Sequence, residues 1–346
     1  MNTKDIVEFL REYDGEPLSF MEVCGTHTAA ISENAIPSVI SPKIRLISGP
    51  GCPVCVTVTS YIDRLIELSL EPKTCIVTFG DLVRVPGSTS SLQEAKSQGG
   101  QVKIVYSPLE IIELAESDKN TVFVFAAVGF ETTTPVYAVL IEELIRKGIS
   151  NVKLLTALKT MPQAIETLCN GENKIDGFIA PGHVSAITGS DIFTPLAVKH
   201  NLPFVVSGFE GEELIASIYA LVKLKGQGKV LNLYKSVVTP KGNQEAQELV
   251  TKYFEPCDAP WRGMGIIKKS GLILKEEYSR FDAGSKMLND DKAKNSGCKC
   301  TEIITGLKNP NECPLFSKVC TPENPQGACM VSNEGACFHY YINNRG

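Results

Sequence analysis

The sequence predicts an α/β fold made of two tandem units, each a parallel sheet flanked by helices, followed by a cysteine-rich segment at the carboxyl end. Three observations carry this. Between residues 17 and 208, short β-rich apolar runs alternate with stretches of helical period, the pattern of strand-helix-strand crossovers. A polar stretch, ESDKN at residues 116–120, divides eight such runs into two groups of four. Six of the twelve cysteines fall between Cys298 and Cys337.

The elements follow in order. The opening MNTKDIVEFLREY mixes charged and apolar residues at helical spacing, so a helix is expected there rather than the unbroken apolar stretch of a secretory leader. The strand-like runs are residues 18–23, 44–48, 74–79, 102–106, 121–128, 152–158, 177–180 and 203–207. Among the helices between them, residues 60–70 turn Ile62, Leu65, Ile66 and Leu70 toward a core. Residues 137–147 set Val139, Leu140, Leu144 and Ile145 on one face, with Pro135 near the start and Arg146, Lys147 and Gly148 where a helix end favours them. The peptides AVGFE (127–131) and VSGFE (206–210) share a strand-to-loop design without defining a repeat. After about Lys225 the alternation fades into a helical stretch at 243–254 and a Gly, Pro and Asn-rich tail, which is too poor in apolar residues to build a large core alone. A metal centre would supply the missing order. The expected units are residues 1–118 with the amino-terminal helix, 119–228, and 229–346.

Bulk composition excludes several classes of function. At 346 residues and 43% hydrophobic the chain can bury real cores. Its net charge of −5 is spread along the chain, with no basic stripe that would track nucleic-acid phosphates. The longest apolar stretch, residues 122–130, is far below the ~20 residues that span a bilayer, so no membrane segment is expected and the chain should stay in the cytoplasm. That compartment keeps structural thiols reduced, so twelve cysteines point to metal or redox work rather than to a disulfide scaffold.

In open parallel sheets ligands bind beyond the carboxyl ends of the strands, and there the residues are unusual. The first run ends in Cys24-Gly-Thr-His-Thr28, the second in Gly49-Pro-Gly-Cys-Pro-Val-Cys55, the third in Phe79-Gly-Asp81, the fifth in Gly129-Phe-Glu-Thr-Thr-Thr-Pro135 and the seventh in Pro181-Gly-His-Val-Ser185. These loops, bearing Cys24, His27, Cys52, Cys55, Glu131 and His183, are expected to converge on one cleft. Cys52 and Cys55 form a CxxC at a strand-to-helix turn, where helix amides would lower a thiol pKa and favour reversible disulfide chemistry; the competing half zinc site lacks a second CxxC or HxxxH nearby. Cys24 and His27 suit a soft metal, or a nucleophile with its base, against the plain reading of a buried cysteine and a surface histidine. His183 has a similar plain reading, a turn with a capping serine. Cys298, Cys313, Cys320 and Cys337 are separated by fourteen, six and sixteen residues, with Cys300 and Cys329 inside that frame. Four thiolates suit either zinc or a 4Fe-4S cluster, and the absence of paired CxxC knuckles favours the cluster. There is no GxxxxGK[ST] loop, GQGK at 226–229 follows a helix and reads as its stop, and no GxSxG elbow occurs.

Taken together, MEVCGTHT, SGPGCPVC, VGFETTTP, PGHVSAITG and CPLFSKVCTPENPQGACMVSNEGAC resemble the hydrogenase maturation protein HypD family, in the family's order and over most of the chain. The resemblance implies two similar α/β units facing a cleft and a terminal domain holding a 4Fe-4S cluster. It implies a HypC-like chaperone that adds a cysteine of its own, so that Fe(II) is held transiently between two proteins while cyanide and carbon monoxide are attached. A HypE-like protein is the implied cyanide donor. By the same resemblance Cys24 binds the iron, His27 supports it, Cys52 and Cys55 are a redox pair, and Cys298, Cys313, Cys320 and Cys337 hold the cluster. Cys300 and Cys329, left over in that segment, form a second redox pair, a structural bridge or alternative ligands. Cys75, Cys169 and Cys257 lie outside the motifs and read as packing residues. The rival readings are a cluster-dependent thiol-disulfide reductase acting on a protein partner, and a cysteine hydrolase using Cys24 and His27.

Overall fold

The computed structural model describes residues 2–171, 174–292 and 294–343. All eight expected runs are strands: β1 (Leu18–Glu22), β2 (Ile44–Ser48), β3 (Thr74–Thr78), β4 (Val102–Ile104), β5 (Val122–Gly129), β6 (Val152–Lys159), β7 (Gly177–Ala180) and β8 (Phe204–Val206). Three more follow, β9 (Val230–Asn232), β10 (Phe254–Trp261) and β11 (Gly265–Leu274). The central strands β3 and β7 are buried at every residue, which is why they read as continuous apolar runs rather than as alternating ones.

The strands form two sheets, ordered β2-β1-β7-β8-β9 and β10-β11-β6-β5-β3-β4. All pairings are parallel except β10 with β11 and β11 with β6. The chain therefore interleaves the sheets where a tandem arrangement was expected. It lays β1 and β2 in the first, crosses to the second for β3 to β6, returns for β7 to β9, and crosses again. The polar stretch at 116–120 is only the end of the helix Glu110–Ser117, where the Asp118 carboxylate accepts from the Asn120 amide (2.9 Å) and the Thr121 hydroxyl (2.6 Å). Such a stop marks where a connection ends and is silent about which strand the next one joins. Here β5 pairs with β3 across it.

The β10-β11 hairpin was not expected, because Pro256 and Pro260 argue against a strand. Proline cannot donate to a ladder, and β10 tolerates both by lying at the sheet edge. The helix Thr134–Lys147 buries Tyr137, Leu140, Ile141 and Leu144, a face turned slightly from the expected one, which leaves Ile145 exposed. Gly148 ends it in the left-handed region (φ 67°), donating to the carbonyls of Leu144 and Ile145. The helix Thr59–Leu70 buries Tyr61, Ile62 and Leu65, and the Tyr61 hydroxyl donates to the Leu155 carbonyl at 2.8 Å.

The cysteine-rich tail has no core of its own. Cys300, Ile303, Cys329, Met330 and Cys337 pack in one continuous cluster with Met21 and Val23 beside β1, with Cys52 and Cys55, with Phe130, and with Trp261. The second sheet has a core centred on Phe125, Leu140, Leu144 and Leu154, all fully buried. A Leu140→Ala substitution there should destabilise the chain by about 2–5 kcal/mol, read as a lowered urea midpoint with unchanged slope in circular dichroism.

Candidate metal and thiol site

The strand β1 runs through the middle of its sheet, between β2 and β7, and delivers Cys24 to the start of the helix Gly25–Glu33. Two glycines permit what surrounds it. A Cβ on Gly51 would lie 2.3 Å from the Cys24 nitrogen, and one on Gly25 would lie 2.3 Å from Cβ of Glu334. The Gly25 amide donates to the Gly51 carbonyl (3.0 Å), tying the first loop to the second. Beneath them Glu22 is almost fully buried, accepting from the Cys24 amide (2.9 Å) and the Thr28 hydroxyl. Burial pushes its carboxyl up to about 7. Burial likewise pushes the Cys24 thiol up to about 12; the amides of His27 and Thr26 act in the opposite sense, and Glu22 and Glu334 add to the rise.

His27 is fully buried, with Nε2 3.0 Å from the Gly208 carbonyl and 3.3 Å from that of Ser207. Carbonyl oxygens only accept, so Nε2 carries the hydrogen and Nδ1 presents a lone pair. That nitrogen is buried with no hydrogen-bond partner. Desolvation holds the ring down to about 4, so it is neutral at pH 7. Phe209 lies between two histidines, its centroid 4.8 Å from His27 and 4.2 Å from the exposed His183. The loops after β1, β7 and β8 therefore meet. Glu131 faces elsewhere: one oxygen accepts from the Met161 amide (2.8 Å), the other is buried without a partner, and no hydrogen bond joins it to Cys24 or His27. Burial raises its carboxyl to about 7.

The CxxC departs from expectation in one respect. The following helix begins at Thr59, four residues after Cys55, so the thiols sit in a separate turn closed by the Val56 amide on the Cys52 carbonyl (3.2 Å) and the Cys55 amide on the Cys52 sulfur (3.2 Å). No helix terminus faces Cys55, and burial pushes its thiol well above the ordinary value instead of lowering it. What the turn gains is contact with the tail. The Cys52 thiol reaches the Ser332 hydroxyl at 3.4 Å. Cys55 interacts with Cys52 and Cys329, Cys329 with Cys300 and Cys337, and Cys300 with Cys298, each pair close enough for one thiol to perturb the ionisation of the other.

Cys320 lies within electrostatic reach of Cys298 and Cys313, and its sulfur accepts from the Gln326 amide at 3.3 Å. All twelve cysteines are unbridged. A Cβ at Gly327 would fill space 2.9 Å from the Cys298 sulfur and 3.1 Å from that of Cys300, so this glycine keeps a cradle open among the thiols. Soft sulfur donors with an amide aimed at one of them fit an iron-sulfur cluster held by Cys298, Cys313, Cys320 and Cys337. Among the described residues no three His, Cys, Asp or Glu side chains meet at a single-ion position. A cavity of about 240 Å³, lined by Pro53, Val54, Phe79, Asp81, Thr133 and Glu334, opens beside the CxxC.

Three side chains that touch the site escape sequence reasoning: Glu22, Ser332 and Glu334. An acid inside the otherwise apolar run LSFMEV was the available signal for Glu22. Nothing in the sequence marks Ser332 or Glu334, because their partners Cys52 and Gly25 are far away along the chain.

Comparison with known proteins gives a consistent result. The profile of a family described as "HypD: Hydrogenase formation hypA family" matches residues 2–344. The chain is 41% identical to hydrogenase maturation factor HypD1 of Bradyrhizobium diazoefficiens, over 94% of this chain and 89% of that protein. It is 38% identical to hydrogenase maturation factor HypD of Escherichia coli strain K12, over 97% and 94% of the two chains. It is also 38% identical to HypD of Azotobacter vinelandii, over 94% and 89%. Among the described residues no helix is long and apolar enough to cross a membrane.

The buried acids make a pH signature. Glu22, Glu131 and Glu334 are each raised from 4.5 to about 7, so the folded state binds their protons more tightly than the unfolded chain, and their effect erodes stability as pH rises through that window. His27, lowered from 6.5 to about 4, acts oppositely and erodes stability as pH falls between those values. Glu131→Gln should therefore flatten part of the decline above pH 4.5 when urea midpoints are measured against pH, leaving the acid-side loss in place.

Proposed function

As the chain belongs to the HypD family of hydrogenase maturation factors, we propose that it is the redox-active scaffold on which iron is held, together with a HypC-like chaperone, while cyanide and carbon monoxide are attached to form the Fe(CN)2CO moiety of a [NiFe]-hydrogenase. A HypE-like protein is the cyanide donor in this reading. The iron is cargo, not a resident cofactor.

Cys24 supplies the thiolate. Burial, reinforced by Glu22 and Glu334, keeps it protonated, and an arriving ferrous ion supplies the positive charge that lets the proton leave, so iron binding releases a proton. The backbone-fixed ring of His27 offers its bare Nδ1 from the same helix, as a transient ligand or as an acceptor that orients what Cys24 holds. Glu22 fixes the Cys24 amide, and with it the direction of the thiol.

The observation that carries the redox half is the unbroken file of thiols from Cys52 to Cys298. A 4Fe-4S cluster on Cys298, Cys313, Cys320 and Cys337 would supply electrons to this file when bound. The mutual perturbation of Cys329 with Cys300, Cys337 and Cys55, and of Cys300 with Cys298, supports an exchange with the Cys52-Cys55 pair as successive dithiols and disulfides. Low-spin ferrous iron carrying strong-field diatomic ligands needs such a reducing supply.

Protein prepared without oxygen should be brown and contain about four irons and four sulfides per chain; a colourless protein carrying stoichiometric zinc overturns the cluster. Cys24→Ala should keep the fold and the brown colour yet fail to support hydrogenase maturation in cells lacking the native gene. Full maturation by that variant overturns the iron assignment and leaves the thiol-disulfide reductase reading.

A further inference from the structure

Lys159 closes β6 in register with Gly271 of β11, which lies opposite Cys257 of β10. Directly opposed residues share a sheet face, so lysine and cysteine project to the same side with a glycine notch between them. A Cβ on Gly271 would lie 2.6 Å from Cβ of Ala259 and 3.2 Å from the Cys257 sulfur, so the thiol leans over the notch. Above this row is a cavity of about 360 Å³, in the size range of small-molecule sites. Val58, Tyr61, Ala157 and Leu288 give it apolar walls, and Lys159 is the buried charged group of its lining, Lys286 being exposed.

The lysine is the unusual part. Only 2% of its surface is exposed, and among the described residues its ammonium donates no hydrogen bond and joins no ion pair. Its near neighbour is the Trp261 ring, with Nζ 5.9 Å from the centroid. The acids lining the same cavity, Glu255 and Asp258, are exposed at its rim, and Asp258 is engaged by the Lys269 amide at 2.9 Å. The other groups acting on Lys159 are Cys257, whose thiol burial pushes up, and the charged Arg262 and Asp291. Arg262 is itself short of acceptors, with Nη2 buried and unpartnered and Nη1 4.0 Å from Asp291. Two buried cations thus share one distant carboxylate, and burial lowers the lysine to about 8 without removing its charge at pH 7.

We propose that this cavity binds a small carboxylate with a short hydrocarbon body, its carboxylate paired with Lys159 and its carbons against Val58, Tyr61 and Leu288. The unpaired ammonium calls for an anion. The apolar walls favour a carbon chain over a fully hydrated inorganic ion such as phosphate, which would leave its water without replacement.

The chain carries its own reporter, because Trp261 is its only tryptophan. Butyrate titrated into the full chain under anaerobic conditions should shift Trp261 fluorescence along a saturating curve. Butyramide, the uncharged analogue, and inorganic phosphate should each bind about tenfold or more weakly, the worth of one charge-assisted contact. Lys159→Met should lose the butyrate response and Lys159→Arg should keep it. The site is overturned if butyrate gives no saturation, if butyramide or phosphate matches it in the unaltered protein, or if folded Lys159→Met binds butyrate as before.

Discussion

Everything at the candidate site depends on a close approach that only glycine allows. Gly51 lets the second strand's loop press against the Cys24 backbone, and Gly25 lets the tail's Glu334 press on the same turn from the other side. Any side chain at either position would force the segments apart. Three stretches remote in sequence are thereby held at the end of β1, and the interleaved topology makes this possible. Because β1 and β2 pair with each other and the chain then leaves for the second sheet, the CxxC loop lies on the path between the sheets, where the tail can reach it.

Burial then sets the chemistry. A thiol and a carboxyl removed from water lose the solvation that stabilises their charged forms, so Cys24 and Cys55 rest as neutral thiols and Glu22 and Glu334 titrate near neutrality. Such groups are inert until something restores charge balance. This protects them from adventitious oxidation, since the thiolate is the reactive form, and it couples reactivity to the arrival of a cation or of a disulfide partner. A CxxC at a helix terminus would be reactive at rest. Its displacement into a turn four residues before the helix makes reactivity conditional on its neighbours.

The fold was legible where local pattern determines structure. The eight apolar runs became strands because each is long enough and β-rich enough to be fixed by its own composition. Pairing was not legible: that β5 joins β3, with Thr74 opposite Val122, depends on contacts between segments remote in sequence, which periodicity does not encode. The β10-β11 hairpin was hidden by Pro256 and Pro260, residues that mark an edge once the sheet is known and a loop while it is not. In the site the cysteines announced themselves by number and spacing, and their grouping in one core follows that signal. Glu131 was singled out with them, and its carboxylate is engaged by the Met161 amide rather than by Cys24 or His27, because sharing a strand end with other motifs does not fix a side chain's partner. Glu22, Ser332 and Glu334 are ordinary letters made functional by what they touch.

The charges beside Cys24 and those beside the tail thiols are of opposite sign. At Cys24 the neighbours are acids: Glu22 and Glu334 both disfavour a bare thiolate, and Asp81 in turn acts on Glu334. At Cys298 and Cys300 the neighbour is Arg262, fixed by its Nε on the Thr57 carbonyl (2.8 Å), and it favours the thiolate. Neighbouring thiols and burial still push Cys298 and Cys300 well above the ordinary value, so the arginine only offsets part of that rise, while the acids beside Cys24 draw a cation. Because Arg262 is anchored on the loop that follows the CxxC, the residue that favours thiolate in the tail is positioned by the segment whose thiols the tail contacts. In the proposed scheme the acids beside Cys24 suit the arrival of a ferrous ion, and Arg262 opposes the rise that burial imposes on the tail thiols, so both effects come from the chain's own side chains.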